Sequence, residues 1–109
     1  MSPPLPLLPA ANWPAGINRA YNTISDAYNH SRDLLHMEDT PSLRFALAIE
    51  RMAGISNTVE AIRATGIAPE WVDVLREACD ELIAELVNAE EQTRNLYALY
   101  FTDAANLWC

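Results

Sequence analysis

Apolar side chains recur along this chain at alternating steps of three and four residues, the spacing that places them on one face of an α-helix. Three separate stripes follow this rule. The first stripe comprises Ile17, Tyr21, Ile24, Tyr28, Ser31 and Leu35. The second comprises Phe45, Ala48, Met52, Ile55, Val59 and Ile62, and the third comprises Leu75, Cys79, Leu82, Leu86, Ala89, Thr93, Leu96 and Tyr100. The pattern predicts an all-α fold.

Proline and glycine predict where each helix begins and ends. The residue before a proline is disfavoured in a helix, so the first helix is expected to end near Met37, ahead of Pro41. Thr40 is predicted to cap the second helix through its hydroxyl, with Pro41 as its first residue. Gly66 is predicted to end that helix in a left-handed, Schellman-type turn, and Pro69 to begin the third. The predicted helices cover about residues 15–37, 41–65 and 69–105.

Short connections between these helices predict an antiparallel three-helix bundle with an extended C-terminal helix, formed by residues 15–109. At 1.5 Å per residue, the first two helices would each be roughly 35 Å long and the third roughly 54 Å. The last three turns of the third helix should therefore project beyond the bundle. Predicted core positions are Ile17, Tyr21, Ile24, Tyr28, Leu35, Phe45, Met52, Ile55, Val59, Ile62, Leu75, Cys79, Leu82 and Leu86.

Residues 1–14 have a different composition and contain five of the seven prolines. Proline fixes φ and removes hydrogen-bond donors, which predicts an extended tail. The segment has no basic start, so it predicts neither a signal peptide nor a membrane span. A ligand for a polyproline-binding domain is the alternative, although the usual basic flank is missing.

The charge of the chain disfavours two classes of partner. All seven basic residues are arginines, they are scattered, and the formal net charge is -8. Binding to nucleic acid or to an anionic membrane surface requires clustered cations. The sequence therefore predicts no direct nucleic-acid binding and no membrane binding.

The sequence contains no motif for catalysis or cofactor binding. His30 and His36 lie six residues apart, on different faces of the first helix, and neither has a partner at metal-ligand spacing. Cys79 and Cys109 belong to no metal or redox motif, and free thiols suit an intracellular compartment. There is no glycine-rich phosphate loop. We therefore predict a protein that is not an enzyme, with no catalytic residue, no cofactor and no metal.

The C-terminal end of the third helix is apolar and aromatic. A large apolar surface is usually covered by a contact with other residues or another molecule, and aromatic side chains are enriched at interface cores. One interpretation is that this end bends back or frays. The interpretation we adopt is a homo-oligomer interface formed by Leu96, Tyr97, Tyr100, Phe101, Leu107 and Trp108.

The third helix is also strongly acidic. Glu77, Glu81 and Glu85 follow one another at four-residue steps and form one ridge. An ordinary solvated face is the simplest explanation. The functional alternative is an acidic adaptor or inhibitor, including a DNA mimic, that docks this ridge on a basic protein partner.

Three segments, RFALAIERM, TVEAIRATG and an acidic helix ending in LVNAEEQ, carry a resemblance over residues 43–92. They resemble the N-terminal helical regions of transposon-encoded, integrase-like proteins of basidiomycete fungi. The resemblance implies an all-helical region that precedes a separate catalytic core, a role in self-association or partner contact, and a nuclear location. These 109 residues include no basic DNA-binding segment and no catalytic acidic triad, so the resemblance transfers no functional residue.

Overall fold

The computed structural model describes residues 5–6, 13–67 and 69–107, with side chains described as far as residue 96. These residues form three helices and no strand: α1 spans Ala15–Leu34, α2 spans Ser42–Ala64 and α3 spans Pro69–Leu107. Helix α2 packs against both other helices, and the contact between α1 and α3 is the smallest of the three. The chain is therefore an all-α helical bundle, as predicted, and α2 joins its two neighbours.

The core lies along the predicted stripes. Every predicted core position is buried except Tyr21 and Leu35, which are half-buried. Leu34 is buried in place of Leu35, and Val72 and Ala78 extend the core on α3. Tyr28, Met52 and Leu82 are among the largest fully buried side chains, and the core therefore draws on all three helices.

Helix α1 ends at Leu34, so the predicted end at Met37 is wrong by three residues. After Leu34 the backbone tightens: the amides of residues 35, 36 and 37 donate to carbonyls three residues earlier. Asp39 then takes a positive φ of 58°, which reverses the chain direction. The pattern of apolar residues does not report this change from an α-helix to a tight turn.

Thr40 does not cap α2, contrary to the prediction. Its hydroxyl lies 3.5 Å from the carbonyl oxygens of both Leu34 and Met37, to which it donates. The N-cap of α2 is Pro41, and no side chain caps that end. Thr40 therefore stabilises the end of α1, because the last carbonyls of a helix lack partners within it.

The predicted left-handed turn at Gly66 is confirmed by its φ of 72°. Its amide donates to the Arg63 carbonyl, as in a Schellman turn. The second bond of that turn passes through a side chain: the Ile67 amide donates to the Thr65 hydroxyl at 3.3 Å, and this hydroxyl donates to the Ile62 carbonyl at 2.6 Å.

An aromatic cluster links the segment before α1 to the start of α3. The rings of Trp13 and Trp71 meet edge to face with centroids 5.4 Å apart, and Tyr21 lies 5.8 Å from Trp71. The Tyr21 hydroxyl donates to the Pro6 carbonyl at 2.8 Å, and Leu5 packs against the core. This part of the predicted extended tail is thus attached to the bundle. No helix in the described part of the chain has both the length and the apolar character needed to cross a membrane.

Candidate interaction surfaces

Helix α3 continues well beyond its last buried residue. Its last buried residue is Leu86, Ala89 and Thr93 are half-buried, and Leu96 is 68% exposed. Residues 94–107 remain helical, which corresponds to a length of roughly 21 Å. We call this segment the overhang. Of the predicted interface, Leu96 is described, and the side chains of Tyr97, Tyr100, Phe101, Leu107 and Trp108 lie outside the described residues.

An open groove of about 800 Å³ lies at the base of the overhang. Its walls come from the α1–α2 connection, the start of α2, and α3. Met37 is 51% exposed at this groove, whereas Phe45 is buried at its base. The residues that line it are Met37, Asp39, Thr40, Pro41, Phe45, Thr93 and Leu96. The groove is therefore largely apolar and continuous with the exposed Leu96.

The predicted acidic ridge does not lie on a single solvated face. Glu77 and Glu81 are exposed, whereas Glu85 is half-buried. Glu85 lines a groove of about 310 Å³ together with Arg32 of α1 and His36 in the turn after α1. Burial raises the pKa of the neighbouring Tyr28, and the negative charges of Glu85 and Glu81 add to the effect. The ridge thus divides into two solvent-facing carboxylates and one that faces α1.

Ion pairs between α2 and α3 occupy other acidic residues. Arg63 donates to Asp73 at 2.7 Å and lies 3.4 Å from Glu60. Arg76 pairs with Glu60 and lies 3.6 Å from Asp80. The prediction counted charge along α3 alone and so missed Arg63, which comes from α2. The carboxylates that face α2 are neutralised within the bundle, and among the described residues no arginine forms an ion pair with Glu77 or Glu81.

A third surface, which we call the basic face, was not predicted. It consists of Arg44, Leu47 and Arg51, spaced i, i+3, i+7 on α2. Leu47 is 56% exposed and both arginines are exposed. These three residues and His30 of α1 line a groove of about 460 Å³. The sequence contains a signal for this face, because Arg44, Leu47 and Arg51 follow one another at the same steps of three and four residues as the buried stripes. The prediction missed it because it considered only apolar residues expected to be buried.

The histidines and Cys79 form no shared site. The prediction placed both histidines on the first helix; His30 lies on α1, whereas His36 lies in the turn after it, and the two line different grooves. Within the described ranges, no three side chains of the histidine, cysteine or acidic type are grouped so that they could hold a metal ion. Cys79 is fully buried, and that burial raises the pKa of its thiol to about 11. A thiol held in its protonated form is a weak nucleophile.

Comparison of the chain with family models, curated proteins and solved structures finds no match. The resemblance of residues 43–92 to transposon-encoded, integrase-like proteins therefore stays a prediction.

Proposed function

We propose that the protein is a non-catalytic helical domain that self-associates through the overhang. The observation that carries this proposal is the length of α3: it has 39 residues, against 20 in α1 and 23 in α2. Leu96 lies in the overhang and is 68% exposed. The proposed interface is Leu96, Tyr97, Tyr100, Phe101, Leu107 and Trp108.

The sequence from residue 94 onward is rich in apolar side chains. It contains the aromatic residues Tyr97, Tyr100, Phe101 and Trp108. Aromatic side chains bury a large area with few rotatable bonds, which makes them frequent anchors of protein interfaces. The apolar groove beside Leu96 offers the second copy a surface on which such anchors can pack.

Solution mass, measured by light scattering behind size exclusion, tests the proposal on the full chain and on a chain truncated after Thr93. The truncation removes no buried described residue, since Leu86 is the last of these on α3. The bundle should therefore stay folded, which circular dichroism can verify. At about 500 mM salt, which screens contacts between exposed charges, we expect a discrete oligomer for the full chain and a monomer after truncation.

Point variants separate the interface from a general change in solubility. Leu96→Gln should weaken the oligomer about tenfold or more, as expected for an apolar interface residue. Val87→Gln is the matched control, because Val87 is exposed on the same helix but lies before the overhang. At that high salt concentration, a full chain that is monomeric, or an oligomer that survives truncation after Thr93, rules out the overhang as the contact.

The second candidate function is an acidic adaptor or inhibitor that binds a basic protein, as a DNA mimic does. It is supported by the exposed Glu77 and Glu81, which have no arginine partner in the described structure. Titration with a polyarginine peptide at two salt concentrations tests it. Glu81→Arg should weaken this binding and leave self-association unchanged, whereas Leu96→Gln should do the reverse.

We further propose an intracellular location, which the free, buried thiol of Cys79 supports. The resemblance to transposon-encoded proteins would make that location nuclear. Microscopy of a fluorescently tagged chain tests both statements, and secretion of the tagged protein would contradict them.

A further inference from the structure

Two exposed helical faces of this chain carry opposite charges in matching arrangements. On α2, the basic face places Leu47 between Arg44 and Arg51. On α3, a second face places Val74 between Glu70 and Glu77. We call this second face the acidic face. On both helices the outer residues are seven positions apart, which is roughly 10.5 Å along the axis.

We propose that the basic face of one copy binds the acidic face of a second copy, with α2 and α3 antiparallel. The steps along α2 are three and then four residues. Read from Glu77 back to Glu70, the steps along α3 are also three and then four. An antiparallel pairing therefore brings all three positions together in one register. The pairs are Arg44 with Glu77, Leu47 with Val74, and Arg51 with Glu70.

All six side chains are available for this contact. Leu47 is 56% exposed and Val74 is 52% exposed, and the four charged residues are exposed as well. In the described structure none of the four forms an ion pair with another residue of its own chain. Each face thus offers an apolar centre flanked by two charges of one sign, which favours the complementary face over a copy of itself.

Most neighbouring charges do not oppose the pairing; the exception is Glu50, which is exposed and lies three residues after Leu47 on α2. Asp73, next to Val74, is engaged by Arg63 of the same chain. His30 lines the groove beside the basic face and adds a hydrogen-bond donor but no negative charge. The acidic face therefore stays accessible, and the walls of the basic groove hold no carboxylate.

The contact joins two different surfaces, so it is heterologous. A bound pair retains one unused basic face on one copy and one unused acidic face on the other, so association continues until a ring closes or a filament grows. This contact is independent of the one proposed at the overhang, because it uses other residues and depends on charge.

A charge-swap experiment on the full chain tests the proposal. One variant carries Arg44→Glu and Arg51→Glu, and the other carries Glu70→Arg and Glu77→Arg. Mass is measured by light scattering at about 20 mM and about 500 mM salt, conditions that differ strongly in screening. For the unmodified chain we expect the mass to fall about twofold or more at high salt. Each variant alone at low salt should have that lower mass.

Mixing the two variants is the decisive step. Each variant alone presents two faces of the same sign, whereas the mixture again offers opposite charges, so the larger assembly should return. Arg19→Glu, an exposed substitution on α1 outside both faces, is the control and should not change the mass. A mass that is the same at both salt concentrations, or a mixture that stays dissociated, overturns the proposal. Leu96→Gln tests the overhang separately, since its effect should persist at high salt.

Discussion

Replacing a glycine by alanine should have opposite effects at two positions of this chain. Gly54 lies inside α2, whereas Gly66 follows that helix with a φ of 72°. A Cβ added at either position meets no atom within 4 Å. Steric crowding is therefore absent at both sites, and the backbone conformation alone determines the sign of each effect.

The two magnitudes follow from the backbone. Within a helix, alanine is favoured over glycine by about 0.5–1 kcal/mol, so Gly54→Ala should raise the free energy of unfolding by that amount. A residue with a Cβ in the left-handed conformation costs about 1–2 kcal/mol, so Gly66→Ala should lower the free energy of unfolding. A smaller opposing gain comes from alanine, which restricts the unfolded chain more than glycine does. The two variants should differ by about 2 kcal/mol.

Thermal unfolding followed by circular dichroism measures the difference. One kcal/mol corresponds to roughly 4–8 °C in Tm for a domain of this size. All samples need the same protein concentration, because self-association makes Tm depend on concentration. Shifts of the same sign in the two variants would refute the backbone argument and would mean that Gly66 does not keep its left-handed conformation in solution.

Three further predictions concern buried and half-buried groups. Burial raises the pKa of Cys79 from 9.0 to about 11, so the contribution of its thiol to the free energy of unfolding should be complete below pH 9 and decline as the pH rises towards 11. Urea unfolding at several pH values measures this decline, which Cys79→Ala should reduce. Arg76→Ala should cost less than about 1 kcal/mol in the same assay, because its ion pairs with Glu60 and Asp80 are 40–56% exposed. Tyr21→Phe removes the hydrogen bond to the Pro6 carbonyl, and the first residues should then be cleaved faster in limited proteolysis, with unchanged helix content.

Both bounds of α2 and the start of α3 could be predicted because special residues impose them. Pro41, Gly66 and Pro69 restrict the backbone whatever surrounds them, and each of these three predicted bounds lies within one residue of the observed one. The end of α1 has no such residue. Pro41 only limits how far that helix can extend, and the tight turn after Leu34 depends on contacts such as that of Thr40 with the helix end.

The surfaces were harder to predict than the helices, because they combine residues that are distant in the sequence. Trp71 contacts Trp13 only once the bundle has formed. Tyr21 also contacts Trp71, and this contact keeps it at the edge of the core. Likewise, the charge on α3 depends on Arg63 from α2. The overhang is different, because its existence follows from the lengths of the helices alone. The interface role of its side chains after Leu96 stays a prediction.

The central place of α2 has a consequence for the motions of the molecule. α1 has less contact with α3 than with α2, and it meets α3 where Tyr21 contacts Trp71 and where Arg32 and Glu85 line one groove. The largest contact in the bundle is the one between α2 and α3, so loss of the α1 contacts leaves this hairpin largely intact, and we expect α1 to open locally as its own cooperative unit. Amide hydrogens of α1 should exchange with solvent faster than those in the middle of α2, and the opened state would present the core side of α2 to the surroundings.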